Sequence, residues 1–134
     1  MTVLLTDQRT VQSAEDVVAI RQTVRQRAVE MGFNLVDQTK IVTAASELAR
    51  NTVQYGGGGR VTIESIEKFG RRGIRLTFED DGPGIPDIDL AMKDGYTTGG
   101  GLGLGLSGAR RLSNDFTIES APGTGTRVTI TRWR

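Results

Sequence analysis

The first half of the chain carries two stretches with the apolar spacing of amphipathic helices. A short strand at residues 3–5 and a polar turn are predicted before them. In the first stretch, apolar residues recur every three or four positions, at Val17, Ile20, Val24, Ala28 and Met31. Ser13 is the predicted N-cap, and Gly32 is predicted to end the helix. Glu15 and Asp16 in the first turn suit the helix dipole.

The second helix is predicted to begin near Asp37 and to end in the glycine run at residues 56–59. Its inward positions are expected at Ile41, Ala44, Ala45, Leu48 and Thr52. From Arg60 the apolar period changes to two. Val61 and Ile63, then Ile74, Leu76 and Phe78 after a turn at 69–73, predict a β-hairpin with one buried face.

The remaining third is rich in glycine and closes with two strands. A loop at 81–86, a short helix within 87–93 and a glycine-dense segment at 95–105 precede a helix that runs to about Leu112. The closing strands are predicted at about 115–120 and 126–133. The order β-α-α-β-β-(α)-loop-α-β-β predicts a single domain over residues 1–134. The expected class is α/β (α+β), a two-layer sandwich of a mixed sheet with helices on one face.

Composition narrows the chemistry. The 134 residues include no cysteine and no histidine, which excludes disulfides, thiolate metal sites and Ser-His-Asp hydrolases within this chain. A net charge of +1 does not indicate a nucleic-acid or membrane surface. No apolar run approaches the roughly 20 residues that span a bilayer, and no signal-peptide core is present, so we expect a cytoplasmic protein.

Three polar residues on the second helix are the first candidate site. Glu47 and Asn51 are four residues apart and project from one face, with Arg50 beside them. A carboxylate and a carboxamide together offer a proton acceptor and a neutral oxygen ligand for Mg²⁺. The alternative is a solvated helix face with an ordinary side-chain pair.

The second candidate is the end of the predicted hairpin. Asp80 continues the inward alternation of its strand, and a carboxylate in that position is costly unless a donor satisfies it. An exocyclic amine of adenine is such a donor. Gly82 and Gly84, just before Ile85, would let the backbone approach a flat ring. The alternative is an aspartate-capped turn.

The glycine-dense segment is the third candidate. Gly101, Leu102, Gly103, Leu104 and Gly105 precede a helix, so free backbone N–H groups and the helix dipole could face phosphate. The dinucleotide pattern over 103–108 lacks the strand that must precede it, and the absence of a Gly-Lys dipeptide excludes a Walker loop. A flexible surface loop is the alternative. Thr126, at the start of the last strand, could turn its hydroxyl towards a ligand lying against Asp80.

Taken together, these segments resemble the conserved boxes of the GHKL (Bergerat-fold) ATPase and kinase superfamily. Glu47 and Asn51, the run 80–84, the run 101–105 and residues 125–126 match its N, G1, G2 and final boxes in order. The runs 46–51, 79–88 and 95–100 resemble the RsbT-type serine/threonine kinases of bacterial stressosome and partner-switching systems.

The resemblance implies ATP and Mg²⁺ as cofactors. It implies that Asn51 holds Mg²⁺, Glu47 is the base and Asp80 with Thr126 contacts adenine. Gly82 and Gly84 would admit the purine. Gly101, Gly103 and Gly105 would face the phosphates, and 95–102 would form a lid. Arg50 could add positive charge, while the scarcity of lysine near the lid leaves open which cation contacts the γ-phosphate.

The resemblance also implies partners. The chain is too short for the transducer domains of topoisomerase-like members and lacks a phosphorylated histidine. A stand-alone kinase for a STAS-domain protein of a stressosome, which then activates a PP2C-type phosphatase, is the favoured interpretation. An RsbW- or SpoIIAB-like anti-sigma factor that binds a sigma factor shares every box and is the main alternative. A binding module with a degenerate ATP site is a further one.

Overall fold

The computed structural model describes residues 1–93 and 105–134, which form five strands and four helices. Their order matches the predicted order of elements. They are β1 (Thr2–Val11), α1 (Ala14–Glu30), α2 (Leu35–Gln54), β2 (Gly59–Lys68), β3 (Arg71–Asp80), α3 (Ile88–Ala91), α4 (Gly105–Arg111), β4 (Asp115–Ala121) and β5 (Gly125–Trp133). Most of the glycine-dense segment lies outside the described residues.

The strands form one sheet in the order β1-β2-β3-β5-β4, and each neighbouring pair is antiparallel. The α/β (α+β) class is confirmed, but the prediction of a mixed sheet is wrong. Helices α1 and α2 return the chain to the end of the sheet where β1 finished, so β2 runs back beside β1. Strands β3 and β4 do run in the same direction, yet β5 lies between them and pairs with both in the antiparallel sense.

The helices supply the second layer, and α2 packs in the middle of it. It contacts α1, α4 and the three strands β1, β2 and β3. Both predicted apolar helix faces are confirmed, since every residue expected on them is buried. The inward residues of the hairpin are buried too, and Val128 and Ile130 of β5 complete the core beneath α2. No helix in the described part of the chain has the length and apolar character to cross a membrane.

The ends of the helices follow their capping residues. Ser13 caps α1 by accepting a hydrogen bond from the Asp16 amide, as predicted, and Gly32 adopts a positive φ of 83° after the helix. Helix α2 begins two residues earlier than Asp37. Asn34 is its N-cap, and the Asn34 side chain accepts from the Asp37 amide. Asp37, the predicted start, is therefore the residue whose amide donates to the capping side chain, and the first helical residue is Leu35.

Strand β1 is longer than the short strand predicted at residues 3–5. It continues through the expected polar turn to Val11, which pairs with Gly59, and a register shift lies between Val3 and Leu5. The backbone ladder to β2 holds this edge strand although nearly all of its side chains face solvent. The β2–β3 turn is correspondingly tighter than predicted, with only Phe69 and Gly70 between the strands, both at positive φ.

Candidate functional site

Glu47, Arg50 and Asn51 lie on one polar face of α2, as the spacing predicted. Arg50 Nη1 lies 2.8 Å from Glu47 Oε1, and Arg50 Nη2 donates to the buried Ser46 hydroxyl at 2.9 Å. The Glu47 side chain is only 18% exposed, whereas that of Arg50 is 49% exposed. Arg50 therefore holds the Glu47 carboxylate in place from the solvent side.

The Asn51 carboxamide faces the first residue of α4. A Cβ placed on Gly105 would lie 3.4 Å from Asn51 Nδ2 and 3.7 Å from Asn51 Oδ1, which is ordinary van der Waals contact. Helix α2 packs directly against α4, so the predicted ligand for Mg²⁺ and the last glycine of the predicted phosphate segment meet at one place. Gly101, Leu102, Gly103 and Leu104, like the predicted lid at 95–102, lie outside the described residues.

Asp80 ends β3 in the inward phase that the sequence predicted. Its Oδ1 accepts a hydrogen bond from the Gly82 amide at 2.9 Å. A Cβ on Gly56 would lie 2.5 Å from the Asp80 carboxylate carbon, and a Cβ on Gly82 would lie 2.7 Å from the Gly56 carbonyl oxygen. Only glycine at these two positions lets the end of α2 close onto the Asp80 carboxylate.

The loop after Asp80 is fastened to the β4–β5 hairpin. Gly84 has a φ of 78°, and a Cβ there would lie 2.1 Å from the Ala121 carbonyl oxygen. The Ile85 amide donates to the Ser120 hydroxyl at 2.8 Å. The glycine at position 84 is thus required by backbone packing against β4, and its predicted role in admitting a purine remains a prediction.

Thr126 lies beside Asp80 on the same face of the sheet. The two residues are directly opposite each other on β3 and β5, so their side chains are neighbours. A groove of about 370 Å³ opens at this end of the strands, lined by Asp80, Ser120 and Thr126 and also by residues of the other sheet face such as Glu79 and Arg127. The described residues thus bring Asp80 and Thr126 together, as the sequence analysis expected.

The two halves of the site are connected through α2. The Asn51 carbonyl accepts from the amides of Tyr55 and Gly56 as the helix ends, at 2.9 and 3.3 Å. Gly56, two residues after the end of α2, in turn touches Asp80, so four residues lie between Asn51 and the residue that contacts Asp80. At the rise of an α-helix this is roughly 7 Å along the axis. One helix therefore sets the distance between the two predicted ends of the site.

The residues present fit a single Mg²⁺ held mainly by phosphate. Within residues 1–93 and 105–134, no group of three or more acidic side chains could hold a metal ion by itself. Mg²⁺ commonly takes one or two protein oxygens, with phosphates and waters completing an octahedron. The Asn51 carboxamide beside the start of α4, with Glu47 one turn away, offers such a limited set.

Two residues of this site were missed by the sequence analysis. The sequence predicts Gly56 only as part of the glycine run that ends α2, although its lack of a side chain makes room for Asp80. Ser120 was not singled out at all, yet its hydroxyl contacts Ile85, Gly125 and Thr126. The available signal was its phase, because Ser120 follows Phe116 and Ile118 on the inner face of β4 as Asp80 follows Phe78 on β3.

Known proteins are similar to this chain in sequence and in fold. Residues 36–133 match the family described as histidine kinase-, DNA gyrase B-, and HSP90-like ATPase. The chain is 48% identical to the serine/threonine-protein kinase RsbT of Bacillus subtilis, over 88% of this chain and 89% of that protein. It is 30% identical to an anti-sigma F factor of a Thermoanaerobacter species, over 84% of this chain and 82% of that protein.

The fold itself recurs in a crystal structure of RsbU and RsbW domains from Mycobacterium tuberculosis. The TM-score is 0.66 at 21% identity, and the match covers 97% of this chain and 33% of that one. At that identity the similarity concerns the fold alone.

Proposed function

Because this chain belongs to the histidine kinase-, DNA gyrase B- and HSP90-like ATPase family, we propose that it is a serine/threonine protein kinase that uses Mg-ATP to phosphorylate a STAS-domain protein. The observation that carries the proposal is the arrangement along α2. Glu47 and Asn51 share one face, Gly105 lies against Asn51, and Gly56 at the helix end packs on Asp80. The 48% identity to a named serine/threonine-protein kinase supports the same activity.

The proposed chemistry divides between the two ends of the site. Phosphoryl transfer depends on positioning and on neutralising charge more than on covalent help from the protein. Asn51 would hold the metal ion, which supplies charge neutralisation at the phosphates. Glu47 would accept the proton of the attacking serine or threonine hydroxyl, and Arg50 keeps its carboxylate in position.

At the other end, Asp80 and Thr126 would bind the adenine edge. The Gly82 amide donates to one oxygen of the Asp80 carboxylate, and among the described residues no donor contacts the other oxygen, which would accept from the ligand. Gly105, together with Gly101 and Gly103, would face the phosphates. The proposed nucleotide thus runs beside α2 from Gly56 to Asn51.

The proposed partners follow from the same relationship. A STAS-domain protein of the stressosome scaffold or antagonist type would be the substrate, and the kinase would activate a PP2C-type phosphatase once released from it. The second candidate function is an anti-sigma factor kinase that binds a sigma factor in a nucleotide-dependent way. The 30% identity to an anti-sigma F factor over most of both chains favours that candidate.

The decisive test is phosphotransfer from labelled ATP with Mg²⁺. The purified chain is incubated with candidate STAS-domain proteins, and the labelled residue is mapped. We expect label on a serine or threonine, and we expect Glu47→Gln to lose about 100-fold or more of the transfer rate while it still binds ATP. Glu15→Gln, an exposed glutamate in the first turn of α1, is the matched control and should transfer at the normal rate.

Two outcomes would contradict this assignment. Equal transfer by Glu47→Gln would remove Glu47 as the base. ATP binding without transfer to any STAS-domain protein, combined with nucleotide-dependent retention of a sigma factor, would establish the second candidate function instead.

A further inference from the structure

The Ser120 hydroxyl is the meeting point of three hydrogen bonds at the end of β4. It accepts from the Ile85 amide at 2.8 Å, donates to the Gly125 carbonyl at 3.0 Å, and lies 2.8 Å from Thr126 Oγ1. A hydroxyl has one proton to donate and two lone pairs that accept. These three contacts therefore use the whole hydrogen-bonding capacity of Ser120.

This accounting fixes the direction of the bond to Thr126. A carbonyl oxygen can only accept, so the single Ser120 proton is committed to Gly125. The proton between the Ser120 and Thr126 hydroxyls must then come from Thr126. The Thr126 O–H consequently points at Ser120, and what remains of Thr126 for a ligand is its lone pairs.

Asp80, opposite Thr126, presents acceptors as well. Its Oδ1 already accepts from the Gly82 amide, and its remaining lone pairs have no donor within the described residues. Arg60 and Arg127 also line the groove, but both are in register with Glu79, whose side chain alternates to the opposite face of the sheet. The inner-face pair is thus a place for a ligand group that donates hydrogen bonds.

We propose that Ser120 is a positioning residue that locks Thr126 as an acceptor and thereby selects a 6-amino purine over a 6-oxo purine. The inference rests on the proposed function, since it concerns the nucleotide of that same site. With Ser120 in place, a 6-oxo group would meet the acceptors of Asp80 and Thr126. Without Ser120, the Thr126 hydroxyl is free to turn and donate to that oxygen.

The test is calorimetric titration of ATP and ITP, each with Mg²⁺, into the wild-type chain and into Ser120→Ala. We expect the wild type to bind ATP about 100-fold more tightly than ITP, because a site built for a donor leaves acceptors unpaired against an oxo group. Ser120→Ala should lower that ratio by about tenfold, mainly through tighter ITP binding. Ser120→Thr keeps the hydroxyl and should restore most of the ratio.

Two further variants separate positioning from general structure. Ser113→Ala removes another partly buried serine hydroxyl, which donates to the Ala109 carbonyl at 2.7 Å, and should keep the wild-type ratio. In a Thr126→Val background, Ser120→Ala should no longer change the ratio, because the group on which Ser120 acts is gone.

The outcomes are distinguishable. Failure of the wild type to bind ATP would overturn the proposed function and this inference with it. ATP binding with no preference over ITP, or a Ser120→Ala variant that weakens both nucleotides equally and keeps the ratio, would overturn the inference alone. If Ser120→Ala still changes the ratio of ATP to ITP affinity in the Thr126→Val background, Ser120 acts by another route.

Discussion

Arg50 shows how a single side chain can prepare a reactive one. Its guanidinium spans Glu47 and the buried Ser46 hydroxyl, so the fork is fixed at both ends. An arginine in this geometry restricts the carboxylate rotamer, and in the described part of the chain it contacts only one of the two Glu47 oxygens. The described structure thus directs Arg50 towards the proposed base, whereas the expectation from the sequence was that Arg50 adds positive charge near the phosphates.

This difference can be measured with Arg50→Ala. If Arg50 acts through Glu47, phosphotransfer should fall about tenfold, since the base loses its orientation. The dissociation constant for ATP should change by less than about twofold, because no phosphate contact is removed. Parallel measurement of single-turnover rate and ATP binding decides the matter, and a marked loss of ATP affinity would instead place Arg50 on the phosphates.

At the scale of elements, β1 depends on α1 for its side-chain anchoring. Arg27 donates to both oxygens of Asp7, at 2.8 and 3.1 Å, and also to Glu30. The hydrogen bond from Arg27 holds the pKa of the Asp7 carboxyl below its usual value, against a smaller opposing effect of burial. Because most β1 side chains face solvent, this pair is a principal side-chain link between the edge strand and the helical layer.

The lowered pKa of Asp7 predicts a dependence of stability on pH. The folded chain holds the ionised carboxylate more firmly than the unfolded chain does, so the contribution is complete above the ordinary pKa of about 3.9. It is lost as the pH falls through the lowered pKa of the folded state. Asp7→Asn should cost about 1 kcal/mol at neutral pH.

Urea unfolding at neutral pH and below about pH 4 measures this effect. The difference in unfolding free energy between the wild type and Asp7→Asn should become smaller as the solution becomes more acidic. Asp89→Asn, an exposed aspartate in the first turn of α3, serves as the control and should leave the unfolding midpoint near that of the wild type. A difference in unfolding free energy that does not change with pH would show that the ion pair contributes through packing alone.

At the scale of the whole molecule, the proposed nucleotide would contact several elements of the fold at once. The end of β3 and the β4–β5 hairpin line the groove, and Gly56, just after α2, packs on Asp80, so the proposed nucleotide would bridge all three. A ligand that binds only the folded state stabilises it, by about 2.7 kcal/mol at a concentration 100 times its Kd.

Thermal unfolding should therefore report nucleotide binding directly. Saturating ATP with Mg²⁺ should raise the Tm of the wild type by roughly 8 °C or more. Asp80→Asn should lose most of that rise, because the carboxylate that accepts from the adenine amine is removed. Asp89→Asn is the control, since that exposed aspartate lies in the first turn of α3 and is not among the residues that line the groove, and it should retain the full rise. Equal rises in both variants would contradict the adenine contact.

Elements with a repeated spacing of apolar residues were predicted from the sequence, whereas features that depend on contacts between distant segments were not. The helix faces and the hairpin core were predictable because each spreads a period over many residues. The full length of strand β1 was not predictable, because an edge strand exposed to solvent on both faces shows no alternation of apolar and polar residues. The positions of Asp80 and Thr126 were predictable from phase and resemblance. Ser120 has the same phase on β4, but its hydrogen bond to Ile85, like the contact of Gly56 with Asp80, joins segments distant in sequence and could not be predicted.

Helix α2 carries Asn51 and leads directly into Gly56, so it connects the two ends of the candidate site and limits which changes of sequence length the chain can tolerate. An extra helical residue between Asn51 and Gln54 would lengthen the helix by about 1.5 Å and would also turn one end by about 100° relative to the other. Asn51 could then no longer face Gly105 while Gly56 faces Asp80. Substitutions can adjust the chemistry at either end of the site. Insertions and deletions in this part of the helix should not be tolerated, because the number of helical residues sets both the distance and the angle between the two ends.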